Sequence, residues 1–217
     1  MSARDEILAR VRAATADVTT TPADRAPTTV VEELSPGRAQ TLDLFAENVA
    51  DYRAQVVRID ASGVAHAVAG ALREHGCASV VLPTGLDTAW AEAAAAVAEV
   101  HREAEVTVDA ALDAVDAVVT ASAVGIATTG TVVLDHGPDQ GRRALTLVPD
   151  LHVCVVRADQ VVHDVPEAVG RLRPGPGHAR PLTWVSGPSA TSDIELERVE
   201  GVHGPRTLVV VLVDEEV

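Results

Sequence analysis

The sequence predicts an α/β fold, a mixed and largely parallel sheet flanked by helices. Three observations lead to it. Continuous apolar runs such as residues 79–82 and 207–213 alternate with segments of helical periodicity, the pattern of strands covered on both faces by crossover helices. Residues 130–156 break that alternation and read as hairpin-like, which makes the sheet mixed. Aromatic residues are only 2% of the 217, so the core of a single domain must be built from Val, Leu, Ala and Ile.

The elements follow in order. Residues 3–16 have a short helical pattern (Ile7, Leu8, Val11), and residues 17–36 form a Thr-, Pro- and Ala-rich linker expected to be mobile. The domain reading is therefore an N-terminal helix and linker over 1–36 and an α/β domain over 37–217. Leu42, Phe45, Val49 and Tyr52 mark a helix over 38–54. A strand at 55–59, a helix at 64–75 and a strand at 79–82 follow, the last stopped by Pro83-Thr84-Gly85. Residues 88–100 read as helix, and 105–108, 116–120 and 130–134 as strands. Two more strands, 145–148 and 152–156, flank a Pro149-Asp150 turn. A helix at 165–172, a Pro/Gly loop at 173–180 and strands at 182–185 and 207–213 complete the chain. No internal repeat is visible.

Composition excludes several function classes. With 32 acidic residues against 17 basic ones the net charge is −15, which disfavours nucleic acid or an anionic membrane as a partner. Every basic residue is Arg. Without a lysine amine there is no Schiff base, no pyridoxal-phosphate anchor and no Gly-Lys-Ser/Thr phosphate loop. Cys77 and Cys154 read as buried reduced thiols; two thiols cannot hold a four-cysteine cluster, and no metal spacing is present among the histidines. The charged first twelve residues lack a signal-peptide core, and the uncharged window 117–134 is broken by Thr120, Ser122, Gly125 and Thr128–Gly130. A cytoplasmic protein without a membrane span is expected, and a homo-oligomer is compatible with the sequence.

Candidate ligand-binding residues fall on three connections, which an open α/β sheet would gather at the carboxyl ends of its strands. Thr84 and Gly85 offer a hydroxyl and an amide, although Thr-Gly is also an ordinary helix entry. Thr128, Thr129, Gly130 and Thr131 form a hydroxyl-rich turn between two apolar runs; a bound anion would satisfy its polar groups, and so would threonines bonded to one another. Ser186, Gly187, Ser189, Thr191 and Asp193 arrive where Gly187-Pro188 stops a strand, and Ser192 and Glu195 have the spacing of a helix-capping box. His203, among glycines, would donate to an anion or act as acid/base, or pack on Pro205. Arg142 and Arg143 lie in a loop able to close on a carboxylate, or simply in solvent. His152, at a strand start, reads as structural.

Four segments carry a resemblance. Residues 125–135 (GIATTGTVVLD), 145–152 (LTLVPDLH), 186–195 (SGPSATSDIE) and 201–205 (GVHGP) together resemble the LUD domain family, in particular its lactate utilization protein C group. The resemblance implies the fold of the sugar-phosphate isomerase and CoA-transferase superfamily. It also implies a part in oxidising L-lactate to pyruvate with two iron–sulfur oxidoreductase subunits, the clusters residing on those partners and no cofactor on this chain. A small carboxylate or phosphate is the expected ligand. One position departs: the family's turn usually reads Ala-Glu-Thr-Gly-Thr, whereas Thr128 stands where Glu is common, so acid/base chemistry is not carried over to it. The alternative reading is a stand-alone enzyme or sensor for a phosphorylated or CoA-linked metabolite.

Overall fold

The structure, a computed structural model, describes residues 2–18, 36–106, 109–172, 180–188, 190–192, 198–200 and 204–214. It contains two compact units, Met1–Leu34 and Ser35–Val217. In the first, helix α1 (Ala3–Ala14) is started by a capping box: the Ser2 hydroxyl accepts from the Asp5 N–H at 3.2 Å and the Asp5 carboxylate accepts from the Ser2 N–H at 3.0 Å.

The second unit is built on six strands, β1 (Gln55–Ile59), β2 (Ser79–Leu82), β3 (Glu99–Arg102), β4 (Ala117–Thr120), β7 (Leu151–Arg157) and β12 (Thr207–Val213). They pair in the order β1-β12-β7-β4-β2-β3, and every pairing is parallel. The expected antiparallel character is present but separated from this sheet. It belongs to the β5 (Val124–Ile126), β6 (Thr131–Leu134) and β9 (Thr183–Val185) pairings of a four-stranded sheet of order β8-β5-β6-β9, whose β8 (Val161–Val162) joins β5 in parallel, and to the hairpin of β10 (Ala190–Ser192) and β11 (Arg198–Glu200). The hairpin expected within 130–156 is corrected, because β6 pairs with β5 and β9 while β7 joins the parallel sheet.

Alternation along the parallel strands sends odd and even positions to opposite faces. Val119, Val153, Val155, Val209 and Val211 pack under helices α3 (Val64–Glu74) and α4 (Thr88–Ala95). Cys154, Val156, Val210 and Leu212 face the other way, against Leu42, Phe45 and Val49 of α2 (Arg38–Asp51) and Val132 and Leu134 of the small sheet. Phe45, the only phenylalanine, is fully buried at this junction, a contribution of about 2–3 kcal/mol. A short α5 (Asp109–Leu112) precedes β4, and α6 (Val165–Leu172) closes the outer face of the small sheet through Ala168. Among the described residues no helix is long and apolar enough to cross a membrane.

Four local expectations are corrected. The helix expected over 88–100 ends at Ala95, and Glu99–Arg102 becomes an edge strand whose Glu99 N–H donates to the Ala78 carbonyl at 2.8 Å; pairing with β2 overrides the helical preference of an Ala/Glu-rich segment. Of the strand expected at 105–108, Glu105 lies in a turn and Thr107 and Val108 fall outside the described residues. The run at 145–148 is a 3-10 turn (Arg143–Thr146), which drives Leu145 into the cluster with Val81 and Val118. Ser192 caps no helix, because it pairs with Arg198 in the β10–β11 ladder.

Candidate functional site

Strand register brings two of the three candidate connections together. β6 and β9 are antiparallel with Val132 opposite Val185, so the next pair outward is Thr131 and Ser186, whose hydroxyl oxygens lie 2.7 Å apart. Thr131 Oγ1 also stands 2.8 Å from Thr129 Oγ1 and donates to the Thr129 carbonyl at 3.2 Å. The three hydroxyls therefore satisfy one another. The turn's amides have partners as well: the Thr128 N–H donates to the His163 carbonyl (3.0 Å) and the Gly130 N–H to that of Ala127 (3.3 Å). Gly130 is left-handed (φ 54°), with no room for a side chain against the Asn48–Val49 backbone of α2. Thr128 faces outward, beside Asn48, Asp51 and Tyr52.

Ser186 also lines a cavity of about 230 Å³ between the two sheets, together with Thr146, His152, Thr183, Gly187 and Leu208; Pro188, Gly204 and Pro205 form part of its wall. His152 and Leu208 are the second residues of β7 and β12, so this cavity lies at the amino-terminal edge of the parallel sheet. The expected carboxyl-edge location is thereby corrected. The small sheet crosses the even-numbered face and ends at that edge, and its last residues form the wall there.

His152 is the most unusual group in the cavity. It is 1% exposed, and burial pushes its pKa from 6.5 down to about 4, so the ring is neutral at physiological pH. Its Nε2 lies 2.8 Å from Thr120 Oγ1, whose hydroxyl is also placed to donate to Cys154 Sγ at 3.7 Å, and the thiol in turn to the Ala121 carbonyl at 3.7 Å. Thr120 has a single hydrogen; if Cys154 takes it, Nε2 must be the protonated nitrogen, leaving the Nδ1 lone pair for a ligand. Burial holds the Cys154 thiol up at about 12, which makes it a packed hydrogen-bonding group rather than a nucleophile. The chemistry available is neutral: hydroxyls from Thr146, Thr183 and Ser186, one imidazole, and an apolar floor.

The third connection lies elsewhere. Thr84 and Gly85 follow β2 at the carboxyl edge, where the Gly85 N–H donates to the Pro138 carbonyl at 2.8 Å. Thr84 borders an open trough of about 540 Å³ lined by Glu103, His136, Arg142, Arg143 and Arg180. Trough and cavity meet through one hydrogen bond, His136 Nε2 to Thr183 Oγ1 at 2.9 Å. Of the remaining candidates, Thr191 is placed in β10, and Ser189, Asp193 and His203 lie outside the described residues. Sequence reasoning passed over Thr146, Thr183 and His136 and gave His152 only a packing role. The available signal was the segment 145–152, where Thr146, Asp150 and His152 interrupt an apolar run.

Comparison with known proteins accords with this geometry. A protein of Deinococcus radiodurans named lactate utilization protein C is 47% identical over 176 residues, 81% of each chain. Another of that name, from Bacillus pumilus, is 36% identical over 95 residues, 42% of this chain and 39% of its own length. The crystal structure of a DUF162 family protein from Deinococcus radiodurans superposes with a TM-score of 0.70 at 40% identity, covering 82% of this chain and 99% of that one. The model of the LUD domain matches residues 2–213. The chain belongs to the LUD domain family.

Proposed function

We propose that the chain serves lactate utilization by holding a small carboxylate, L-lactate or its oxidation product pyruvate, in the cavity between the sheets. The observation that carries this reading is convergence: Thr146, Leu147 and His152, then Thr183–Pro188, then Gly204-Pro205, distant in sequence, wall one space of about 230 Å³, a size suited to a three-carbon acid. The names of the relatives point to the same metabolism. On binding, Ser186 and Thr183 would turn their single hydroxyl hydrogens from Thr131 and His136 to the carboxylate, and His152 Nδ1 would accept from a 2-hydroxyl group. Electron transfer belongs to separate iron–sulfur subunits, because two thiols, one of them buried beneath Thr120, do not make a cluster site on this chain.

The test is ligand-induced stabilisation. L-lactate or pyruvate should raise the melting temperature of the wild-type protein, and Thr183→Val with Ser186→Ala should weaken that response about tenfold in ligand concentration, the effect of losing charge-assisted hydrogen bonds. An identical response from the double variant, or none from the wild type, would remove the cavity from the reading.

A further inference from the structure

The trough at the carboxyl edge has a different chemistry. Three of the chain's 17 arginines, Arg142, Arg143 and Arg180, border it in a protein of net charge −15. Glu103 is the one acid among its described lining residues. That carboxylate is occupied, accepting the Arg142 backbone N–H at 2.8 Å. The Arg142 guanidinium is held by the Val106 carbonyl. Arg180 reaches only the His136 carbonyl, at a long 3.5 Å, and exposed Arg143 has no side-chain partner among the described residues.

The loop that presents these groups is stiffly built. His136 has a left-handed backbone (φ 56°), a conformation that costs a non-glycine residue on the order of 1 kcal/mol or more and persists only where the surroundings impose it. Both ring nitrogens are engaged, Nδ1 with the Gly141 carbonyl at 3.0 Å and Nε2 with Thr183. One wall of the trough is thus fixed before any ligand arrives.

We propose that this trough binds the phosphate group of a phosphorylated small molecule, at a site separate from the cavity. Planar guanidinium forks approaching from two segments, 142–143 and 180, suit an anion with several acceptor oxygens, and the Thr84 hydroxyl adds a neutral donor. At about 540 Å³ the trough exceeds what a three-carbon acid fills, leaving room for the organic part of the ligand. Binding would neutralise arginines for which the described residues provide no side-chain ion pair.

Isothermal titration calorimetry with inorganic pyrophosphate as the probe tests this. The wild-type chain should show one saturable site, weakened at least about tenfold by Arg143→Ala with Arg180→Ala, both exposed positions. Glu103→Gln, which keeps an acceptor for the Arg142 N–H and removes the opposing charge, should tighten binding about threefold. No isotherm with the wild type, or the same affinity in the double arginine variant, overturns the proposal. The lactate response of these same proteins is read in parallel, so failure of the trough is distinguishable from failure of the cavity.

Discussion

Gly130→Ala should destabilise the protein by on the order of 3 kcal/mol, combining the cost of a left-handed alanine with that of overpacking. An added Cβ would stand 2.5 Å from the Asn48 carbonyl carbon, 2.6 Å from its oxygen and 2.7 Å from the Val49 nitrogen. These are backbone atoms of α2, so no side chain can swing aside. Either the helix lifts from the turn, giving up the Asn48 side-chain bond to the Ala127 carbonyl (2.8 Å) and loosening Phe45 and Val49, or the turn opens and pulls Thr131 from Ser186. Urea denaturation measures the loss. Gly70→Ala is the control: it lies in α3 with nothing within 4 Å of a new Cβ and should gain about 0.5–1 kcal/mol. Equal behaviour of the two variants would mean that the turn does not anchor α2.

Acid should expose the second large effect. His152 has its pKa depressed from 6.5 to about 4 in the folded protein, so on lowering the pH the unfolded chain takes up this proton first. The stability that the neutral buried ring allows is complete above about pH 6.5 and is lost progressively toward pH 4, with a total on the order of 3 kcal/mol. His152→Gln cannot titrate. Its stability curve, subtracted from that of the wild type, should show this slope between those limits and a flat difference above pH 7. Pyruvate has no hydroxyl for the neutral ring to accept from, and its carboxylate would favour the imidazolium, so bound pyruvate should reduce the acid loss and pyruvate affinity should rise as the pH falls from 7 to 5. A pH-independent difference curve would place His152 in contact with water rather than in a dry wall.

The parallel sheet was legible because its strands centre on β-branched apolar residues, Val56-Val57, Val80-Val81 and Val209–Val211: 55–59, 79–82 and 207–213 were read to their final residues, as was the helix at 165–172. Segments decided by partners far away in sequence were not. The chain from 88 to 100 looks helical in isolation, and its end joins the strand Glu99–Arg102 only because β2 offers an open edge. Leu145 looks like a strand residue and is a plug. At the site, the meeting of the turn around Thr129 with the connection around Ser189 was expected from their chemistry; Ser189 lies outside the described residues, and the β6–β9 register brings Thr131 to Ser186 at the start of that connection. That these hydroxyls bond one another depends on a 2.7 Å separation, which no spacing rule supplies. Thr128 faces Asp51 and Tyr52 rather than the cavity lined by His152.

Nitrogen-15 NMR of the histidine-labelled protein, with His152 assigned through His152→Gln, observes the cavity itself. The ring signals of His152 should move saturably on addition of L-lactate or pyruvate and stay still in the Thr183→Val, Ser186→Ala protein. Fixed His152 resonances at lactate concentrations that stabilise the protein would contradict a carboxylate site between the two sheets.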